Sequence, residues 1–241
     1  MKMWNGLNNN LGGALLVVGL AFAFLFTFYE EALLHPNDYS FSTTGDGIKN
    51  YFTFVSYVDN NDDLTNFEGL NYPYGESMLF TDCHPIIAAP ARLLQSYFPW
   101  IGVYGVGLLN FLMLFSFVVG SFFLWKLFRR LDVNPLLSVL GALGIMVLSP
   151  QIFRLEGHYA LSYGCALPIT FYLLLNFTQR KNFIRSSVFL LINALFWFFI
   201  HAYLGMIVVA TMLAFGLVKL VVSLFGKGKF TGSFLYWSAS I

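Results

Sequence analysis

The chain has 241 residues, 58% of them hydrophobic and only 10% charged, with a mean hydropathy of +0.69. A soluble domain usually carries about 25% charged residues, so the composition excludes one and points to an all-α polytopic transmembrane helical bundle. A net charge of +1 without any basic block argues against nucleic acid as a partner. Two cysteines, Cys83 in a polar loop and Cys165 in an apolar run, indicate no disulfide framework.

In chain order, Leu11 to Tyr29 carries no charge and is long enough to cross a bilayer, which takes roughly 20 apolar residues. It reads as a retained signal anchor, because Glu30-Glu31-Ala32-Leu33-Leu34 offers no convincing cleavage site. A polar loop over residues 35–100 follows, long enough to be functional instead of a tether. Within it, Phe41-Ser-Thr-Thr-Gly-Asp-Gly-Ile-Lys-Asn-Tyr51 carries Asp46 between Gly45 and Gly47. Those glycines permit tight or positive-φ backbone and close approach by another molecule. Apolar Ile48, Tyr51, Phe52, Val55 and Val58, interleaved with Lys49, Asn50, Thr53 and Ser56, predict an amphipathic helix lying in the membrane interface with Asp46 at its start. After turns at Asp59–Asp63 and Asn71–Glu76, a second amphipathic stretch runs from about Ile86 to Phe98. The first loop is therefore expected to be structured, with two juxtamembrane helices.

Further apolar runs predict spans at 101–127, 135–148, 159–177, 187–200 and 204–225. Those at 135–148 and 187–200 are short, as expected of helices whose outer ends stop below the surface. Residues 234–241 read as the start of a seventh span, so the chain is expected to be the N-terminal part of a larger protein. Alternating sides along these spans gathers Lys2, Lys126, Arg129, Arg130, Arg180, Lys181, Arg185, Lys219, Lys227 and Lys229 on one side. Only Lys49, Arg92 and Arg154 fall on the other. The positive-inside rule makes the first side cytoplasmic, which puts the N-terminus inside and the loop over 35–100 outside. Every acid except Asp132, and all four histidines, then lie outside.

Among the outer groups, Asp46 has two readings: an N-cap for the helix that follows, or a functional carboxylate at the membrane surface. Arg154 and His158, in Gln151-Ile-Phe-Arg-Leu-Glu-Gly-His158, offer a planar fork and an imidazole suited to phosphate oxygens. The alternative for Arg154 is pairing with Glu156 or with lipid headgroups. Arg92 and Lys49 are the remaining outer cations that could meet a phosphate. Asp82-Cys-His84 sets two metal-ligand types two residues apart, and Glu76 could add a third, but no second His follows at a zinc-type spacing. His201, near Tyr203, reads as an interface residue. There is no phosphate-cradling glycine loop, nucleophile elbow or HExxH. No charge lies in the middle of a span, which weakens a transporter reading.

With an N-terminal span, a long outer loop bearing two juxtamembrane helices and an early aspartate, and then spans joined mostly by short turns, the chain resembles the N-terminal part of a GT-C-type membrane glycosyltransferase. Thr44-Gly-Asp-Gly-Ile-Lys-Asn-Tyr51 and Asn71-Tyr-Pro-Tyr-Gly-Glu76 are similar to loops of large bacterial membrane proteins of the Bacteroidetes type. The resemblance implies a bacterial inner-membrane enzyme with a polyprenyl-phosphate sugar donor and a glycan, lipid or protein acceptor. It implies inverting transfer on the extracytoplasmic face with Asp46 as base. Charge and side, not the resemblance, suggest Arg154 for the phosphate clamp, with His158, Arg92 and Lys49 behind it. No Asp-x-Asp pair adjoins Asp46, so no cofactor is assigned. Were a divalent metal used, Asp82, His84 and Glu76 are its ligand candidates. Two rival functions remain at this point: a transporter or flippase for lipid-linked intermediates, indifferent to Asp46, and a non-catalytic assembly subunit that co-purifies with a partner.

Overall fold

The computed structural model describes residues 2–178 and 183–225. The expected seventh span at 234–241, and Arg180, Lys181, Lys227 and Lys229, lie outside them. Helix makes up 76% of the described residues, and the two strands among them are two residues long, so the class is all-α. Among the described residues six segments are long and apolar enough to cross a membrane: Leu11–Leu34, Gly105–Arg130, Pro135–Glu156, Tyr159–Thr178, Phe183–Ile200 and Ala202–Leu224. The protein is a multi-pass membrane bundle.

Helix α1, Lys2–Leu34, leaves helical geometry at Tyr29 (φ −135°, ψ 29°) and then resumes. It thus runs past its expected end at Tyr29, because Glu30, Glu31, Ala32, Leu33 and Leu34 are all strong helix formers. The first loop contains α2 (Gly45–Asn60), the antiparallel pair β1 (Asn66–Phe67) and β2 (Glu76–Ser77), α3 (Pro85–Gln95) and α4 (Trp100–Val103). In the strand pair, Asn66 faces Ser77 and Phe67 faces Glu76. The remaining long helices are α5 (Gly105–Arg130), α6 (Pro135–Val147), α7 (Ala166–Thr178), α8 (Phe183–Ile200) and α9 (Ala202–Phe225).

Helix α6 starts sharply: the Asn134 side chain accepts from the Leu136 amide at 3.0 Å, and Pro135 takes the first helical position. At 13 residues it is about 20 Å long, short of the bilayer's apolar core. A tight 3-10 segment, Ile152–Glu156, extends the same apolar run upward. Helix α8 begins one turn before the expected Ser187, because Phe183 and Ile184 are apolar enough to continue it.

Helix α5 is central and packs against α1, α6 and α7, burying Leu109, Met113, Leu114, Phe117 and Val118. Within the spans, Asn193 donates to the Thr170 hydroxyl at 2.9 Å and accepts from the Trp197 indole at 3.0 Å, tying α7 to α8. Near the opposite end, the Lys126 ammonium and the Arg130 guanidinium sit 4.5 and 4.7 Å from the Tyr172 ring centre.

At one end of the bundle the first loop, the segment between α6 and α7 and the α8–α9 turn come together. Two asparagines fix the first loop to α5. Asn37 donates to the Val103 carbonyl at 3.0 Å and accepts from the Gly107 amide at 3.1 Å. Fully buried Asn110 donates to the carbonyls of Pro36 and Tyr39, each at 2.7 Å, and accepts from the Tyr51 hydroxyl. Helix α2 consequently buries two of the residues read as polar. Asn50 and Thr53 are buried with Gly47, Tyr51, Phe54, Tyr57 and Val58, while Ile48 and Phe52 are exposed. The polar pair is tolerated inside because Asn50 donates to the Asp46 carbonyl at 2.7 Å and Thr53 to the Asn50 carbonyl at 3.2 Å.

Candidate functional site

Asp46 is the second residue of α2. Gly45 just before it has φ +59°, a left-handed turn into the helix that a side chain would strain. Thr44 holds the N-cap position with extended backbone and makes no side-chain cap. Asp46 is therefore not the N-cap, and the capping reading is corrected. Its carboxylate sits in the first turn, where the helix dipole favours negative charge. The side chain is 64% exposed.

Gly47 is needed for packing within the chain. A Cβ there would lie 2.5 Å from Ser42 Cβ and 3.3 Å from the Tyr159 hydroxyl, so the close neighbour is the protein's own loop and not another molecule. Behind this turn the Tyr51 and Tyr159 rings are 4.5 Å apart, and Tyr159 donates to the Ser42 carbonyl at 3.5 Å. Burial pushes the Tyr51 phenol well above its ordinary value, with the Tyr159 phenol adding to the effect. Tyr51 stays a neutral donor to Asn110 and anchors α2 on α5.

His158 Nδ1 lies 3.7 Å from Asp46 Oδ2. Arg154 is exposed in the 3-10 segment one turn earlier, whose Arg154 carbonyl accepts from the His158 amide at 2.8 Å. Among the described residues Arg154 makes no ion pair, so the expected alternative of a bond to Glu156 is not formed. Asp46, His158 and Arg154 thus share one region of the loop end. Beneath the Arg154 segment lies a narrow, mainly apolar cleft of about 20 Å³, lined by Tyr29, Phe117, Met146, Gln151 and Leu155 among others. That is room for a water molecule, not a sugar ring.

The other expected phosphate ligands are placed differently. Arg92 donates to the Asn61 carbonyl, to Gln95 Oε1 at 3.3 Å and to Asp62 Oδ1 at 3.2 Å. Those bonds bind it to the far end of α2, about 20 Å along the helix from Asp46. Lys49 Nζ is taken by Asp82 Oδ2 at 3.1 Å. Neither is presented as a free clamp.

The metal candidates do not converge. Asp82 Oδ1 is bonded to His201 Nε2 at 2.9 Å, and His201 Nδ1 accepts from the Tyr203 amide at 3.3 Å, which leaves Nε2 to carry the ring proton. Burial raises the Asp82 carboxyl, but the hydrogen bonds from His201 and Lys49, with the Lys49 charge, outweigh it and hold it at about 2. His84 is fully buried beside the Tyr163 ring, and neither ring nitrogen has a hydrogen-bond partner. Burial, and then His201, push its imidazole down to about 4. Glu76 is on β2 and accepts from Asn71 at 3.5 Å. Among the described residues no three His, Cys, Asp or Glu side chains are placed to hold a metal ion.

Sequence reasoning missed Asn110 and the role of His201. Asn110 is the lone amide in the apolar run 101–127, and that oddity was the available signal. For His201 no local signal existed, since its partner is 119 residues away.

The family described as a domain of unknown function, DUF6311, matches residues 16–239. The chain belongs to the DUF6311 family. No curated protein matches it and no solved structure matches it. The DUF6311 match takes in all six candidate spans apart from the first few residues of the first, together with the whole loop end.

Proposed function

We propose that this DUF6311 protein is a GT-C-type membrane glycosyltransferase, moving a sugar from a polyprenyl-phosphate-linked donor to a hydroxyl acceptor with inversion. The reaction runs on the extracytoplasmic face of a bacterial inner membrane, with the N-terminus cytoplasmic. One observation carries the reading: Asp46 presents an exposed carboxylate with no hydrogen bond among the described residues, facing His158. Arg154, which makes no ion pair among the described residues, stands one turn away from that histidine.

In this reaction the acceptor hydroxyl gives its proton to Asp46 as its oxygen bonds to the anomeric carbon. The bond from that carbon to the lipid phosphate breaks, and the phosphate leaves with the electron pair. Arg154 stabilises the charge that develops there, as a guanidinium fork can, and His158 orients the Asp46 carboxylate. Lys49 and Arg92 have no part in the clamp.

The test is sugar transfer from a polyprenyl-phosphate donor by membranes containing the protein, wild type against Asp46→Asn. The variant is expected to lose roughly 10²–10⁴-fold in rate, the usual worth of a positioned base, at unchanged abundance. Transfer retained by the variant rejects the assignment. Lipid translocation without sugar release, insensitive to Asp46, would instead identify a flippase.

A further inference from the structure

Lys49 follows Asp46 by three residues on α2, a spacing that makes two side chains neighbours on a helix surface. A flexible ammonium there is the natural partner for an exposed carboxylate. Yet Lys49 Nζ is turned to Asp82 Oδ2, 3.1 Å away.

Asp82 is itself held firmly. Its second oxygen is bonded to His201 at 2.9 Å, and its neighbours Thr81, Cys83 and His84 are fully buried. Its backbone has φ +61°, a left-handed conformation that L residues retain only where the surroundings over-determine it. The carboxylate therefore reaches α2 from a fixed point braced against the α8–α9 turn.

We propose that Asp82, set by His201, is a positioning residue that draws the Lys49 ammonium off Asp46 and so keeps the Asp46 carboxylate free to accept a proton. Released, Lys49 would bond to Asp46, occupy a lone pair and lower its basicity. The effect on catalysis rests on the reading of Asp46 as the base; the placement of charge does not.

The experiment is zero-length carbodiimide cross-linking of the full chain in membranes. The reagent turns a lysine–carboxylate ion pair into an amide and itself takes up the water, and peptide mass spectrometry locates the link. Wild type is expected to give a Lys49–Asp82 link. Asp82→Asn is expected to raise the Lys49–Asp46 link several-fold, and a folded variant without that rise overturns the inference. Should Asp82→Asn not fold, wild type decides alone: a Lys49–Asp46 link equal to or stronger than Lys49–Asp82 overturns it. In the transfer assay Asp82→Asn is expected to slow turnover, and adding Lys49→Gln to that variant to restore it several-fold. Absence of that recovery rejects the positioning role. Absence of transfer even by wild type counts against the glycosyltransferase reading alone, because the cross-linking result still decides the placement.

Discussion

Asn110 is the residue on which the geometry of the loop end depends most. Its amide serves three partners from two segments: the carbonyls of Pro36 and Tyr39 and the hydroxyl of Tyr51. Asn110→Ala leaves these groups buried and unmatched, at roughly 1–3 kcal/mol for each one that water cannot reach. We expect thermal unfolding in detergent to fall by at least about 2–4 °C, the shift that 1 kcal/mol produces in a chain of this size. An unchanged midpoint would show that α2 is held by other contacts. Asn110→Asp is the informative companion, because it keeps the acceptor for Tyr51 while removing both donors. The place of Asp46 at the start of α2 was legible from the apolar periodicity that follows it. Its freedom from capping was not legible, since that depends on Thr44 taking the cap position and on Gly45 turning left-handed.

At the scale of elements, the contact between α2 and the α8–α9 turn runs through Lys49, Asp82 and His201. Asp82 is held from its ordinary 3.8 down to about 2 in the folded protein. A carboxyl depressed on folding contributes stability that is complete above its unfolded value and is lost as pH falls through its folded value. The latch is therefore intact at neutral pH, weakens below about pH 4 and is gone near pH 2. Protection from hydrogen exchange relative to the intrinsic rate, over residues 81–84 and 199–203, should fall as pH is lowered through that window in wild type, and should already be low in Asp82→Asn at pH 6. Equal protection in the variant and wild type at pH 6 would remove Asp82 from the latch.

Helix α2 also shows what a hydrophobic pattern does not record: Asn50 and Thr53 were read as polar positions, but both are buried with Phe54 and Tyr57. Side-chain bonds to the helix's own carbonyls allowed Asn50 and Thr53 inside, and hydrophobicity does not record such bonds. The weak metal candidates Asp82 and His84 part for a related reason. Asp82 and His84 are near in sequence, but left-handed backbone at both residues sends one to Lys49 and the other into the core.

At the scale of the molecule, the bundle was legible because a run of about 20 apolar residues has one stable solution in a bilayer, a helix that satisfies its own backbone. Span ends were less legible: α1 and α8 each extend a turn beyond the expected limits, α1 because strong helix formers follow Tyr29 and α8 because Phe183 and Ile184 continue its apolar run. The packing of the loops on one another was not legible at all, because the bonds that fix it join residues 33 to 119 positions apart. The described cations sort by end. Lys126, Arg129, Arg130, Arg185 and Lys219 lie toward the end opposite the loops, and Lys49, Arg92 and Arg154 lie at the loop end. That asymmetry supports an outward-facing loop end, and the proposed chemistry requires it.

Labelling of Asp46→Cys in intact spheroplasts with a membrane-impermeant maleimide tests this placement most directly. Cys83 and Cys165 are both buried, so the background is low. We expect the introduced thiol to react fully without permeabilisation, and the reaction to be blocked by prior treatment with a second impermeant thiol reagent. Reaction only after the membrane is opened would put Asp46 on the cytoplasmic side and contradict transfer on the outer face.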